Sequence, residues 1–171
     1  MHKFVFDKNK VMVEKITVPG SRLKNCYRID KDVYRSDQPS YRDFRALEQF
    51  GIKEVLNLRN RHNDKDEARG TDIKLHRLRM KASKMNQDDL LEAMRILRDR
   101  EGPILIHCWH GSDRTGAVCA MYQILFLGIS KEDAVNAMVD GEYGFHMIFD
   151  QLIDMLHGTD VEHMKQALGI S

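Results

Sequence analysis

The stretch from Ile104 to Leu127 constrains the fold more than any other part of the chain. Gly102-Pro103 breaks what precedes it, and Ile104-Leu105-Ile106 follows as a short, wholly apolar run. Such a run, bounded by turn residues, fits a strand buried on both faces of a parallel sheet. Thr115 to Leu127 is apolar almost throughout and stops at Gly128, which predicts a buried helix. A buried strand feeding a buried helix is the unit of α/β domains, whose ligands gather beyond the carboxyl ends of the strands. The connecting loop, His107 to Arg114, is therefore where chemistry is expected.

The remaining pattern agrees with an α/β reading. Residues 3–6, 11–18, 32–36, 52–58 and 72–80 read as strands, the second ended by Pro19-Gly20. Pro39-Ser40 opens a helix through Phe50, with Phe44, Leu47 and Phe50 on one face and Gly51 as its stop. Asn86 to Arg100 predicts a second helix: an Asn cap, acids at Asp88 and Asp89, and Leu90, Leu91, Met94 and Leu97 on one side. Ser130 caps another, and 146–156 and 160–168 predict two more. Residues 59–72, nearly all charged or polar, predict a solvated loop. The expectation is an α/β fold with a mainly parallel central sheet flanked by helices and a helical C-terminal part. At 171 residues the chain is one domain, 1–171, with a catalytic core of about 30–157.

Charge and cysteine usage exclude several classes. Lys plus Arg number 27 against 26 Asp plus Glu, a net charge of +1, so a dedicated nucleic-acid partner is not expected. No run is long and apolar enough for a membrane span. The three cysteines, Cys26, Cys108 and Cys119, form no disulfide framework. A cytoplasmic, reducing location is expected, unless a leader was removed before residue 1. Met80, Met94, Met121, Met138 and Met155 fall at core-like positions rather than on a binding face.

The loop reads His107-Cys108-Trp109-His110-Gly111-Ser112-Asp113-Arg114-Thr115-Gly116, a Cys-x5-Arg loop. Gly111 lets the backbone take positive φ, so the N–H groups of Trp109 to Arg114 can turn inward as an anion nest, aided by the helix N-terminus. Cys108 at its mouth is a thiolate stabilised by those donors, and Arg114 offers a planar fork to two phosphate oxygens. A thiolate with a cationic cradle predicts attack on phosphorus and a phosphocysteine intermediate. Asp113 is the acid that protonates the leaving oxygen and later activates water. Thr115 places its hydroxyl on the Cys108 sulfur, and His107 fixes the loop through ring hydrogen bonds. The rival reading of His107, Cys108 and His110 is a metal site, but adjacent side chains point apart and no second pair has the spacing; no metal and no cofactor are expected. Cys119 reads as a small core residue, and His146 and His157 as structural or surface histidines.

Those residues resemble the cysteine-dependent protein tyrosine phosphatase superfamily, in its compact, atypical dual-specificity branch. The resemblance spans about residues 30–150 and includes Val33 to Ser40, Gly51 to Arg59, Met80 to Lys84 and Gly141 to His146. It implies metal-free hydrolysis of phosphomonoesters, with a phosphorylated protein or a small phosphate ester as substrate. Many relatives carry their general acid on a separate loop upstream of the cysteine, but Arg79 to Gln87 holds no Asp or Glu. Some branches use an Asp immediately before the loop Arg, which Asp113 matches; Asp88 and Asp89 are the alternatives.

Substrate remains open at this point. Arg35, Arg59, Arg61, Lys81, Lys84 and His110 could gather round the loop and favour an inositol phosphate or phosphoinositide, with Arg59 and Lys84 the foremost contacts. Two other classes compete: an arsenate reductase or sulfurtransferase with a similar anion loop, and an inactive phosphate-binding module. The Arg-Thr-Gly ending argues against the first. Cys108, Asp113 and Arg114 occurring together argue against the second.

Overall fold

The computed structural model describes residues 13–171. The strand expected at 3–6, and the start of the one expected at 11–18, lie outside the described residues. Within them the second strand is only Glu14–Lys15 (β1). It pairs antiparallel with Tyr27–Asp30 (β2), a strand the sequence reading missed, which pairs antiparallel with Val33–Ser36 (β3). The helix Tyr41–Phe50 (α1) leads to Glu54–Arg59 (β4) and Lys74–Met80 (β5). After the helix Gln87–Asp99 (α2) comes Ile104–His107 (β6). The sheet runs β1-β2-β3-β6-β4-β5, with β3, β6, β4 and β5 parallel, so the expected mainly parallel α/β architecture is present.

Local chemistry sets the element ends. Ser40 and Asp43 form a reciprocal capping box at α1, and Gly51 ends that helix at φ 111°. Asn86 and Asp89 form a second box at α2, so Asp89 is committed to capping. The turn before β6 is held by a buried acid: the Glu54 carboxylate accepts from the N–H groups of Glu101 (2.7 Å) and Gly102 (3.1 Å) and meets His76 Nε2 at 2.7 Å. Burial pushes its pKa up, but the His76 and backbone hydrogen bonds outweigh that and hold it below the usual range.

Strand β6 is central and covered on both sides. Ile104 and Ile106 join the larger core built on Leu90, Met94, Leu97, Met121 and Leu152, while Leu105 joins the smaller core with Phe44, Leu47 and Ile52 under α1. Burial on both faces is why β6 reads as an unbroken apolar run. Helix Arg114–Phe126 (α3) is buried at every residue from Thr115 to Leu125, which accounts for its lack of a polar face.

The C-terminal part is helical, as expected. Lys131–Asp140 (α4), Gln151–Gly158 (α5) and Val161–Leu168 (α6) pack on the larger core. The helix expected from 146 begins instead with extended backbone at His146 and a 3-10 turn at Met147–Phe149. Among the described residues no helix is long and apolar enough to cross a membrane.

Candidate active site

Strand register brings one loop into focus. In β3 and β4, Ser36 and Asn57 both align with His107, so β3 and β6 end together beneath Cys108 to Arg114 and β4 runs two residues further, to Arg59. Gly111 crosses closest to the sheet at φ +73°, where a Cβ would lie 2.4 Å from the Ser36 carbonyl oxygen. No other residue fits there.

The loop's carbonyls are turned outward and tied down. Gln38 N–H donates to the Trp109 carbonyl (3.0 Å), Asn25 Nδ2 to that of His110 (3.1 Å), and Arg35 to that of Gly111 (2.7 Å). Among the described residues, the N–H groups of Trp109 to Asp113 donate to no protein acceptor. Outward carbonyls with unpartnered N–H groups, on a loop with one residue at positive φ, are the arrangement of a donor set able to take an anion. Cys108 lies buried at its base. Arg114 begins α3 and donates to the Met80 carbonyl at the end of β5 (3.1 Å).

A chain of polar contacts fixes the loop's first residue. His107 is fully buried; its Nδ1 meets the Cys108 carbonyl at 3.0 Å and its Nε2 meets Asp64 Oδ2 at 2.6 Å. Gln38 donates to Asp64 Oδ1 (2.8 Å) and accepts from Arg59 (3.0 Å), whose guanidinium lies over the Trp109 ring at 4.2 Å. Burial pushes the Asp64 carboxyl up, but the His107 and Gln38 hydrogen bonds and the nearby imidazole charges hold it below its ordinary value. Burial, and then the positive charge of Arg114, lower the Arg59 pKa.

Asp113 sits one residue before Arg114, buried, and both its oxygens meet one residue. Oδ1 accepts from the backbone N–H of His146 and Oδ2 contacts its ring Nδ1, each at 2.8 Å. The 141–146 segment is itself fastened to the loop: Ser112 Oγ donates to the Tyr143 carbonyl (2.5 Å), as does Asn25 Nδ2 (2.8 Å).

Several expectations need correction. The Thr115 hydroxyl is buried without a hydrogen-bond partner, so the contact expected with the Cys108 sulfur is not made. Arg35 is buried, holds the Gly111 carbonyl and stacks on Tyr143 at 3.8 Å, so it supports the loop from beneath. Lys84, Lys81 and Arg61 are exposed, and no side-chain contact joins Lys84 to the loop. Arg59, Trp109 and His110 do border it. The 59–72 segment is not wholly solvated, because Asp64 and Ala68 are buried under it. His146 is a partner of Asp113 and belongs to the site. Cys119 is a core residue as expected, its thiol pushed up to about 11 by burial.

Sequence reasoning missed Asn25, Gln38, Asp64, Tyr143 and His146. Asp64 and His146 reach the loop across 43 and 33 residues; His146 lies within a stretch that carries the resemblance but has no role there, and Asp64 lies outside every such stretch. His62, Asp64 and Glu67 bring ligand-type atoms within 4.8 Å of one another. These atoms are occupied by two pairs, His62–Glu67 at 2.8 Å and Asp64–His107 at 2.6 Å, which is reason enough for the cluster.

Comparison with known proteins gives a consistent picture. The sequence profile of the Tyrosine phosphatase family matches residues 22–126. The dual specificity protein phosphatase TpbA of Pseudomonas aeruginosa is 29% identical over 146 residues, covering 84% of this chain and 66% of that protein. The chain thus spans just under two thirds of that relative's length. The crystal structure of P. aeruginosa TpbA superposes with a TM-score of 0.81 at 26% identity, over 95% of this chain and 99% of that one. The inositol diphosphatase DSP5 of Arabidopsis thaliana is 29% identical over 103 residues, 55% of this chain and 50% of that protein.

Proposed function

This chain belongs to the tyrosine phosphatase family, and from that premise we propose that it hydrolyses phosphomonoesters through a phosphocysteine intermediate. The observation that carries the reading is the nest itself: unpartnered N–H groups above a buried Cys108, with Arg114 at the helix start. The thiolate of Cys108 attacks phosphorus while the nest and Arg114 take up charge on the phosphoryl oxygens. The leaving oxygen departs with a proton from the Asp113 region, and water then releases phosphate from sulfur with proton removal at the same place. His107 keeps the loop in register through its contacts with Asp64 and the Cys108 carbonyl. Catalysis draws on no metal or organic cofactor. Residues 1–171 act as one catalytic domain with its core at about 30–157, and a reducing, cytoplasmic setting suits the three free cysteines.

The substrate we favour is a phosphorylated tyrosine or other protein side chain. The exposed surface supports it: the loop residue Trp109 is 56% exposed, and Ile148, two residues from His146, is 81% exposed, apolar groups suited to peptide flanking a phosphate. TpbA's description as a dual specificity phosphatase points the same way. One observation favours the second reading, an inositol phosphate: Arg59, stacked on the loop residue Trp109, adds positive charge for a polyanion. Arsenate reduction is disfavoured because Cys119, the nearest spare thiol in sequence, is wholly buried in the core. Steady-state assays on p-nitrophenyl phosphate, a phosphotyrosine peptide and inositol polyphosphates, with chelator present, test the proposal. Wild type should release phosphate, with the highest kcat/KM on the peptide, and Cys108→Ser should release none. Turnover by Cys108→Ser refutes the mechanism, and preference for the polyphosphates reverses the substrate assignment.

A further inference from the structure

Asp113 is the acid that the loop sequence offers, but its surroundings give it another task. It is 7% exposed, and one oxygen accepts a backbone N–H, a group that can only donate. The other oxygen meets the ring Nδ1 of the same residue, His146. The His146 side chain is 49% exposed, and among the described residues its Nε2 makes no hydrogen bond to protein. Its ring lies 5.6 Å from that of His110, and with the contact to Asp113, the residue before Arg114, this sets it against the loop.

We propose that His146 is the residue that exchanges the proton with the leaving group and with water, and that Asp113 is a positioning carboxylate for it. This rests on the phosphatase reading above. A carboxylate hydrogen-bonded to Nδ1 keeps the Nδ1 proton in place. Nε2 is then an N–H donor in the imidazolium and a lone-pair acceptor in the neutral ring. Buried carboxylates orient catalytic histidines in the same way elsewhere.

The support around His146 suits a catalytic group rather than a loose surface ring. Tyr143, three residues earlier, receives hydrogen bonds at its carbonyl from Ser112 Oγ and from Asn25 Nδ2. The same Asn25 amide also holds the His110 carbonyl, so one side chain fastens the 141–146 segment to the phosphate loop. Arg35 lies over the Tyr143 ring while bonding the Gly111 carbonyl, a second fastening between the same two segments. The imidazole therefore keeps a fixed position relative to the bound phosphate, which proton transfer in the transition state requires.

The steps balance without a co-reactant. As the sulfur lone pair of Cys108 forms the S–P bond, the ester P–O bond breaks and the leaving oxygen takes the Nε2 proton. The ring is left neutral. Water then attacks phosphorus, Nε2 accepts its proton, and the S–P electron pair returns to sulfur. The products are alcohol and phosphate, with His146 again an imidazolium.

The test compares wild type with His146→Asn, His146→Ala, Asp113→Asn, His110→Gln and the double variant His146→Asn/Asp113→Asn. Substrates are phenyl phosphate, with a poor leaving group, and p-nitrophenyl phosphate, with a good one. An asparagine amide can still donate to Asp113 but exchanges no proton, so His146→Asn separates the chemical role from the structural one. Should the alanine variant fail to fold, the asparagine variant carries the comparison alone. Expected is a loss in kcat of roughly a hundredfold on phenyl phosphate for His146→Asn, and only a few-fold on p-nitrophenyl phosphate. The double variant should be no worse than the poorer single variant, and imidazole in solution should restore His146→Ala but not Asp113→Asn. The proposal is overturned if His146→Asn keeps wild-type turnover of phenyl phosphate. It is equally overturned if His110→Gln shows the selective loss instead. Neither result touches the phosphatase reading, which stands or falls separately on Cys108→Ser.

Discussion

On the floor of the site, His107, Cys108, Ser36 and Arg35 are buried and bound to the backbone or to one another. At the rim, Trp109 and His110 of the loop, and His146, Met147 and Ile148 of the segment that meets Asp113, stand in solvent. The floor is built from groups whose positions are fixed by hydrogen bonds across three strands. The rim is built from side chains that ordinary stability would place inside. The difference separates two tasks. Holding a phosphoryl group demands a rigid, desolvated set of donors, whereas choosing what the phosphate is attached to demands exposed surface.

That contrast can be broken at the floor first, where effects are largest. Gly111→Ala would place a methyl group 2.4 Å from the Ser36 carbonyl oxygen at a positive φ. Chemical denaturation should show a loss of roughly 3 kcal/mol, and isothermal titration should show phosphate binding abolished. Full stability in this variant would mean that the close approach is not needed to form the nest.

Asp64→Asn comes next. It removes the carboxylate beside buried His107, at 2.6 Å. The expected loss is about 2 kcal/mol at neutral pH. The pH dependence follows from the lowered proton affinity of Asp64 in the fold. Its contribution is complete above the unfolded carboxyl value of about 4 and disappears as pH falls through its lower folded value. The asparagine variant should therefore narrow its stability gap to wild type in acid, as followed by melts from neutral pH downward. A gap that stays constant would contradict the assigned ion pair.

At the rim the effects shrink and change kind. Trp109→Ala removes the ring on which Arg59 stacks and an apolar contact for substrate. We expect KM for a phosphotyrosine peptide to rise about five-fold with kcat nearly unchanged, the sign of lost uniform binding. Ile148→Ser should alter the melting free energy by no more than about 0.5 kcal/mol, since the side chain is 81% exposed. A large destabilisation there would show that the rim is part of the core after all.

The floor was more legible in the sequence than the rim, for a physical reason. Ile104 to Ile106 and Thr115 to Leu125 are continuous apolar runs because both are buried all round, so strand, loop and helix are visible without neighbours. The capping boxes at Ser40 and Asn86 mark their helices locally for the same reason. Strand β2 escaped because its Tyr27 and Ile29 alternate with Arg28 and Asp30 over only four residues. Asp64 and His146 escaped because a charged residue in a polar stretch looks solvated until the fold supplies a buried partner. Thr115 shows the converse error: nearness in sequence suggested a contact with Cys108 that the first turn of α3 does not make.

The most direct measurement is a rapid quench, into alkaline denaturant, of wild-type enzyme turning over p-nitrophenyl phosphate, followed by peptide mapping. The account predicts one phosphoryl group on the peptide containing Cys108, appearing within the first turnover and absent from Cys108→Ser. Phosphate release at the normal rate with no phosphoryl group on that peptide would contradict it.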